Sequence, residues 1–264
     1  MAIILSSAFP LNVVTSGDDR RPPLLLINPL GTTVDFWEPM LEVLESRFWI
    51  IRFDLRGHGL SIGHVEPYEI SDIAADALAV LDALHVPRAR VLGSSFGGLA
   101  AATLAAVAPN RVERLILAAT SLRLGDDVWW AETIERVHES GMAGVVDQLD
   151  TVFFSEAWQL AVPDRREMAR AMLLATPPDA YVAGAEAIRN ADLTDIAPNI
   201  RASTLVIVGD EDPVFAYCPS TDLLDLIQDG EEVNVGGAFH RVLLEQPDLI
   251  SNVINEFLVD PDAR

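Results

Sequence analysis

The chain has 264 residues, of which 18 are basic and 40 acidic, so its formal charge near pH 7 is −22. Every basic residue is an arginine, because the sequence contains no lysine. This excludes Schiff-base and pyridoxal enzymes and Walker-type phosphate loops, all of which need a lysine. Nucleic acid and anionic membranes are not expected as partners, because both would repel so acidic a chain. The 50% hydrophobic content predicts a folded domain with a large core.

The number of cysteines and the lengths of the hydrophobic segments indicate the cellular location to expect. The single cysteine, Cys218, cannot form a disulfide within the chain, and a cysteine-based zinc site needs several cysteines. The apolar N-terminal residues lack a basic segment and are interrupted by serine, proline and asparagine, which favours a strand or hairpin over a signal peptide. The alanine-rich stretch 96–109 is shorter than the roughly 20 residues that a membrane-spanning helix needs. We therefore expect a cytoplasmic protein.

Short apolar runs alternate along the chain with helical patterns, which is typical of a mostly parallel sheet with helices on both faces. After the N-terminal strand or hairpin, five runs are apolar enough to be buried central strands. These runs are Leu24–Asn28, Phe48–Asp54, Arg90–Gly93, Leu115–Ala119 and Thr204–Gly209. Between the second and the third, Ser71–His85 carries apolar residues at helical spacing, with Ser71 as the expected N-cap.

Residues 121–192 interrupt this alternation. They contain three of the five tryptophans and the helix-like segments Trp129–Ser140 and Arg165–Leu174, without a convincing strand. We interpret 121–192 as a helical cap that lies over the sheet. Residues 1–120 and 193–264 then form one α/β core.

The most informative segment is Gly93-Ser94-Ser95-Phe96-Gly97, in which a predicted strand runs through a Gly-x-Ser-x-Gly motif into an alanine-rich helix. In this context the central serine lies on a tight strand-to-helix turn, and the small residues on either side allow close packing of the backbone. The turn raises the Ser95 hydroxyl above the sheet edge and puts the next N–H at a helix N-terminus. Ser95 is therefore the candidate nucleophile, and the Phe96 amide is a candidate oxyanion donor.

A serine nucleophile needs an imidazole to accept its proton, and the chain has five histidines. His85 and His138 occupy polar positions of predicted helices, where a surface role is expected. His58 belongs to a turn after a predicted strand and is expected to shape that turn, and His64 lies in the polar loop beyond it. His240 follows an apolar run and two glycines near the C-terminus, where the last strand of such a sheet would end. His240 is therefore the candidate base.

The imidazole needs a carboxylate to orient it, and open α/β sheets build their sites at the carboxyl ends of the strands. The predicted strand Thr204–Gly209 ends in an acidic turn. The spacing Gly209-x-x-Asp212 favours Asp212, with Asp210 as the alternative. The order Ser95, Asp212, His240 is the nucleophile, acid, base order of α/β-hydrolases.

A second oxyanion donor should come from the loop after an early strand. Asn28-Pro29-Leu30-Gly31 follows the first buried run and is that loop. Because Pro29 has no N–H, Leu30 is the first residue that can supply the donor. The Leu30 and Phe96 amides would together form a two-donor oxyanion hole.

Several stretches resemble the 3-oxoadipate enol-lactonase branch of the α/β-hydrolases. They are Asn28-Pro29-Leu30-Gly31-Thr32, Trp37-Glu38-Pro39, Arg52-Phe53-Asp54-Leu55-Arg56-Gly57-His58-Gly59-Leu60-Ser61, Val128-Trp129 and Ile188-Arg189-Asn190-Ala191-Asp192. The chain departs from that branch where Phe96 replaces a methionine, where Pro29 replaces a serine, and where Arg241-Val242-Leu243 replaces Leu-Ser-Asn after the base. Phe153 stands where the branch has a cap tryptophan.

The resemblance implies an α/β-hydrolase fold, no metal or organic cofactor, and hydrolysis of a small-molecule lactone or ester. The cap aromatics are expected to enclose the substrate or to pack the core, with core packing expected for at least half of them: Trp129, Phe153, Phe154, Trp158 and Tyr181. The lactone of the family carries a carboxylate, which in a chain without lysine would be bound by arginine, at Arg189 in the cap or Arg241 beside the base. Carbon–carbon bond hydrolases, cofactor-free perhydrolases and receptors of the same fold stay open as alternatives, and so does a homodimer.

Overall fold

The structure, a computed structural model, describes residues 2–6, 9–216 and 219–259, so Cys218 lies outside the described residues. Eight strands form one sheet in the order β1-β2-β4-β3-β5-β6-β7-β8. Their bounds are β1 Ala2–Ser6, β2 Phe9–Ser16, β3 Pro23–Ile27, β4 Trp49–Phe53, β5 Ala89–Ser94, β6 Val112–Ala118, β7 Ser203–Gly209 and β8 Gly230–Val235. The five central strands predicted from apolar runs are thereby confirmed, with small shifts at their ends.

The sheet is antiparallel only at its N-terminal edge. β1 pairs with β2 and β2 with β4 in antiparallel register, and every other neighbouring pair is parallel. Of the strand or hairpin expected at the N-terminus, the antiparallel pairing of β1 and β2 favours the hairpin. All six residues of β5 are buried, although successive side chains point to opposite faces of the sheet. Both faces are consequently covered, which explains why the central strands are continuously apolar.

Ten α-helices occur in the described residues. Their bounds are α1 Glu38–Glu45, α2 Ile70–Ala83, α3 Phe96–Val107, α4 Asp127–Ser140, α5 Glu156–Ala161, α6 Pro163–Ala175, α7 Pro178–Asn190, α8 Ser220–Leu224, α9 Val242–Glu245 and α10 Pro247–Leu258. None of these helices is long and apolar enough to cross a membrane. Helix α1 packs against α10, and α2 packs against α3 and β1.

The predicted N-cap of α2 is wrong. The helix begins at Ile70, so Glu69 is its N-cap and Ser71 lies within the first turn. The Glu69 N–H donates a hydrogen bond to the Asp72 carboxylate at 2.9 Å, which anchors the start of the helix two residues earlier than a serine cap at position 71 would.

Segment 121–192 contains helices α4 to α7 and no strand. Helices α5 and α7 were not predicted from the sequence, and the buried face of α7 consists largely of small residues. One of them, Gly184, lies so close to the Leu30 loop that a Cβ there would be 2.3 Å from a Leu30 methyl carbon. Helix α7 also contacts α3. The helical segment is thus packed directly over the carboxyl edge of the sheet.

Candidate active site

Ser95 lies in the turn between β5 and α3 with a strained backbone. Its φ of 53° and ψ of −117° fall in a region that residues with a Cβ rarely adopt. The two motif glycines allow this turn: a Cβ on Gly93 would lie 2.1 Å from the Gly97 carbonyl oxygen, and one on Gly97 would lie 2.1 Å from the carbonyl oxygen of Ile27. The Ser95 N–H donates to the Ala118 carbonyl at 2.8 Å, which fixes the turn against the neighbouring strand.

The structure brings Ser95, His240 and Asp212 into one hydrogen-bonded chain. Ser95 Oγ lies 2.8 Å from His240 Nε2, and His240 Nδ1 lies 2.7 Å from Asp212 Oδ2. Because a carboxylate oxygen accepts, Nδ1 donates to Asp212, and Nε2 is left to accept the Ser95 proton. The side chains of His240 and Asp212 are almost fully buried, whereas Ser95 borders a cavity. This arrangement can move a proton from a serine to an imidazole held by an acid.

The two aspartates of the acidic turn after β7 make different hydrogen bonds. Asp212 Oδ1 accepts the Val214 N–H at 2.9 Å, which orients the carboxylate toward His240. Asp210 is exposed and accepts the Gly237 N–H at 2.7 Å, three residues before His240. The geometry therefore favours Asp212 as the partner of the imidazole, and Asp210 stabilises the loop that leads to it.

The Leu30 loop faces the same cavity as Ser95. Pro29 has no N–H, and the Gly31 N–H donates to His58 Nε2 at 3.2 Å, so within Pro29–Gly31 only the Leu30 N–H is left for an oxyanion. Phe96 is the first residue of α3, and the first N–H groups of a helix have no partner within the helix. These two amides are the candidate oxyanion donors.

His58 does more than the turn role expected from the sequence. It is fully buried, with Nδ1 3.0 Å from the Arg56 carbonyl oxygen. Since that oxygen can only accept, Nδ1 carries the proton and Nε2 accepts from Gly31. Burial lowers the pKa of His58, which favours the neutral ring that this contact requires. His58 thus fixes the Leu30 loop through the hydrogen bond from Gly31. This contact joins distant segments, and no sequence signal indicated it.

A cavity of about 350 Å³ lies between the sheet edge and the helical segment 121–192. Ser95, His240 and Leu30 form its floor. Its roof and walls are mostly apolar, with Leu124, Trp129, Trp130, Val152, Phe153, Tyr181 and Ile188. Of the five cap aromatics considered from the sequence, Trp129, Phe153 and Tyr181 reach the cavity, whereas Phe154 and Trp158 stack on each other with ring centroids 4.1 Å apart. Trp130 was not singled out, although it directly follows Trp129.

The two candidate arginines have different surroundings. Arg189 lines a neighbouring surface cavity together with Arg123, Asp126 and Asp127, and the structure does not bring it to the cavity of Ser95. Arg241 is only 5% exposed and lines that cavity directly. The sequence could not separate them, because it does not show which way either side chain points.

Comparison with known proteins identifies the family of this chain. Residues 22–247 match the sequence profile of the α/β-hydrolase fold. The chain belongs to the α/β-hydrolase family. It is 30% identical to 3-oxoadipate enol-lactonase 2 of Acinetobacter baylyi over 92% of its own length and 91% of that protein.

Two solved structures resemble this α/β-hydrolase over nearly the whole chain. The enol-lactonase from Burkholderia xenovorans LB400 superimposes with a TM-score of 0.93 at 29% identity, covering 98% of this chain and 100% of the other. A thermophilic esterase from Thermogutta terrifontis superimposes with a TM-score of 0.87 at 26% identity, covering 97% of both chains. The protein is accordingly a hydrolase of ester or lactone bonds.

In this hydrolase the loop that carries His240 is hydrogen-bonded to the cap. The Arg241 N–H donates to the Phe153 carbonyl at 2.9 Å, and Trp158 Nε1 donates to the Leu244 carbonyl at 3.0 Å. Glu245 accepts from the Ser155 hydroxyl at 2.5 Å and from the backbone N–H of Phe239, which precedes His240, at 3.0 Å. Burial raises the pKa of Glu245, and these hydrogen bonds oppose that shift. The loop of His240 and the cap are therefore positioned together.

Proposed function

We propose that the protein hydrolyses a lactone or carboxylic ester through a covalent acyl-enzyme on Ser95. His240 takes the proton from the Ser95 hydroxyl as its Oγ attacks the substrate carbonyl, and Asp212 stabilises the resulting imidazolium. The Leu30 and Phe96 amides donate to the tetrahedral oxyanion. His240 then returns the proton to the departing alcohol oxygen, and the ester bond breaks.

The second half of the reaction uses the same groups. His240 removes a proton from water, the resulting hydroxide attacks the acyl carbonyl, and Ser95 leaves with the proton that His240 returns to it. The acid product then dissociates from the cavity. In a lactone the alcohol and the acid are parts of one molecule, so the ring-opened hydroxy acid, or its tautomer in an enol-lactone, is the single product.

One observation carries this proposal. The Ser95–His240–Asp212 hydrogen bonds of 2.8 and 2.7 Å end on a hydroxyl that faces an apolar cavity. A hydroxyl so placed, on a turn held in a strained conformation, is suited to attack a bound carbonyl carbon. Two amides beside it would supply the charge stabilisation that typically accounts for about two to three powers of ten in rate per donor.

A fluorophosphonate probe tests the nucleophile. We expect the wild type to acquire one covalent adduct, located by mass spectrometry at Ser95, and the Ser95→Ala variant to acquire none. A folded wild type that is not labelled, or a Ser95→Ala variant that is labelled as fast as wild type, would contradict the proposal.

The two aspartates of the acidic turn form a matched pair for the second test. Asp212→Asn should lower kcat by about four powers of ten, because the imidazole is then no longer held in the required tautomer. Asp210→Asn removes the same charge two residues away and should retain most of the activity. The reverse result would reassign the acid to Asp210.

The substrate is best sought among short lactones and esters, because the cavity is small and mostly apolar. The relatives named as enol-lactonases make an enol-lactone acid the first compound to test, followed by acyclic esters of similar size. Hydrolysis is followed at constant pH by titration of the acid that is released.

A further inference from the structure

The peptide that carries the Leu30 N–H is held by Thr32. This peptide joins Pro29 to Leu30, and its carbonyl, which belongs to Pro29, accepts a hydrogen bond from Thr32 Oγ1 at 2.7 Å. Thr32 is only 6% exposed, so water competes little for this carbonyl. Gly31 lies between the two residues with a φ of 74°, in the left-handed region that favours glycine. The turn at Gly31 brings the Thr32 hydroxyl back to the Pro29 carbonyl.

The direction of the Leu30 N–H follows from this hydrogen bond. The peptide between Pro29 and Leu30 is trans, so its carbonyl and its N–H point in opposite directions within one plane. A hydroxyl that fixes the direction of the carbonyl therefore fixes the direction of the N–H. A hydrogen bond to the carbonyl also polarises the amide, which makes its N–H a stronger donor. Thr32 thus acts on both the direction and the strength of the candidate oxyanion donor.

The next peptide, between Leu30 and Gly31, is bonded at both of its polar groups. The Leu30 carbonyl accepts from Arg241 Nη2 at 3.0 Å, and the Gly31 N–H donates to His58 Nε2 at 3.2 Å. Arg241 follows the base, and His58 lies in the loop after β4, so these bonds tie the turn to two other parts of the chain. From the Pro29 carbonyl to the Gly31 N–H, every backbone polar group except the Leu30 N–H has a partner among the described residues.

The unbonded Leu30 N–H indicates a ligand atom in the cavity. Leu30 is only 5% exposed, and it lines the same cavity as Ser95. Buried N–H groups in folded proteins nearly always have an acceptor, so one that is left over beside a cavity is suited to bind an acceptor within it. The oxyanion that forms when Ser95 attacks a carbonyl is such an acceptor.

We propose that Thr32 is a positioning residue of the oxyanion hole. Its hydroxyl directs the Leu30 N–H toward the carbonyl oxygen of the substrate and strengthens it as a donor, while Arg241 and His58 prevent rotation of the next peptide. Thr32 itself does not touch the substrate. This inference rests on the proposed serine-hydrolase function.

The substitution Thr32→Val keeps the shape of the side chain and removes the hydroxyl. Acylation and deacylation both form an oxyanion, so both steps should slow alike, and kcat for p-nitrophenyl butyrate should fall while KM changes little. We expect kcat to fall by about 10- to 100-fold, because the N–H remains but is displaced. Loss of a whole donor typically costs about two to three powers of ten. Thr32→Ser keeps the hydroxyl and should recover most of kcat.

Thr33 provides the matched control. Its hydroxyl belongs to the same loop but accepts from the Asp35 N–H and makes no hydrogen bond to the peptide between Pro29 and Leu30. Thr33→Val should therefore keep the wild-type kcat. Thr32→Ala removes the hydroxyl without adding a methyl group in its place, and it serves as a second variant if Thr32→Val does not fold. If Thr32 only stabilised the turn, its substitution would lower the Tm and leave kcat of the folded protein unchanged.

A second measurement reports on the oxyanion directly. Ser95 Oγ should add to the carbonyl carbon of propyl trifluoromethyl ketone, with the hydroxyl proton passing to His240 and the carbonyl electron pair to the oxygen. Fluorine NMR detects this adduct, whose oxyanion lies where the oxyanion of an ester would form. Its inhibition constant should rise in Thr32→Val by about the factor by which kcat/KM falls, because both quantities depend on the same stabilisation. Thr33→Val should leave the inhibition constant unchanged.

The two measurements separate the possible failures. A wild type that neither hydrolyses the ester nor forms the adduct would refute the serine-hydrolase function, and the role of Thr32 with it. A wild type that does both, together with a folded Thr32→Val variant whose kcat and inhibition constant are unchanged, would refute the role of Thr32 alone. A lower kcat with an unchanged inhibition constant, or a Thr32→Ser variant as slow as Thr32→Val, would also overturn that role.

Discussion

Replacing Ser95 by glycine should give a more stable protein than replacing it by alanine. The backbone of Ser95 has φ 53° and ψ −117°, a conformation in which a residue with a Cβ is strained by about 1–3 kcal/mol and glycine is not. Both variants lose the hydroxyl and its hydrogen bond to His240, so this loss cancels when the two are compared.

The size of the difference follows from two opposing terms. Alanine keeps the strain, for which about 2 kcal/mol is the middle of the range. Glycine releases the strain but gives the unfolded chain more conformational freedom, which costs about 0.5–1 kcal/mol. The free energy of unfolding of Ser95→Gly should therefore exceed that of Ser95→Ala by about 1 kcal/mol. In a protein of this size the difference corresponds to a Tm that is higher by about 2–4 °C.

Urea unfolding followed by tryptophan fluorescence measures this difference, and both variants should be inactive. Ala119, which also has a positive φ of 51°, provides a positive control, because Ala119→Gly should be stabilising for the same reason. Ala105 lies inside α3, where Ala105→Gly should be destabilising. If Ser95→Gly were no more stable than Ser95→Ala while both controls behaved as expected, the turn would not be strained by the Cβ.

Three further predictions concern a buried histidine, the loop of the base and the packing below the nucleophile. Burial lowers the pKa of His58, so the unfolded chain binds more protons than the native protein below about pH 6.5. The free energy of unfolding should therefore fall as the pH drops below that value. The slope of this free energy against pH should be smaller in His58→Asn. Equal slopes for the two proteins in urea titrations from pH 5 to 8 would contradict a neutral, buried His58. Replacing Glu245 by alanine leaves the Phe239 N–H without its acceptor, so stability should fall by about 1–3 kcal/mol and kcat should fall with it. Glu245→Gln should recover part of both, and unchanged kcat in the alanine variant would show that the contact does not position the base. A Cβ on Gly97 would lie 2.1 Å from the Ile27 carbonyl oxygen, so Gly97→Ala should cost about 3 kcal/mol in thermal unfolding, and wild-type stability would mean that α3 can shift.

The central strands and the Ser95 turn could be predicted because the structural requirement at each of these places is met by residues adjacent in sequence. A run that is apolar throughout is buried on both faces, as β5 is. The two glycines around Ser95 are required because a Cβ at either position would lie 2.1 Å from a carbonyl oxygen, a constraint that a sequence motif records directly. Asp212 was favoured over Asp210 by turn length alone, and the structure assigns the two residues separate hydrogen bonds.

Other features depend on contacts between distant segments, which sequence patterns do not encode. The bond between His58 and Gly31 joins two loops, and neither loop carries a sign of the other. Arg189 and Arg241 were equivalent candidates, because orientation toward the cavity is set by the packing of the cap. Helix α7 was not predicted, and the small residues on its buried face allow its close approach to Leu30, which the local pattern does not show.

The hydrogen bonds between the cap and the His240 loop have a consequence for engineering. A cap taken from another hydrolase and grafted onto this core would leave Glu245, the Leu244 carbonyl and the Arg241 N–H facing groups that no longer match. The unit that can be exchanged is therefore the cap together with residues 239–245. We expect chimeras that transfer both segments to keep the His240 imidazole within hydrogen-bond distance of the Ser95 hydroxyl. Chimeras that transfer the cap alone should displace the imidazole.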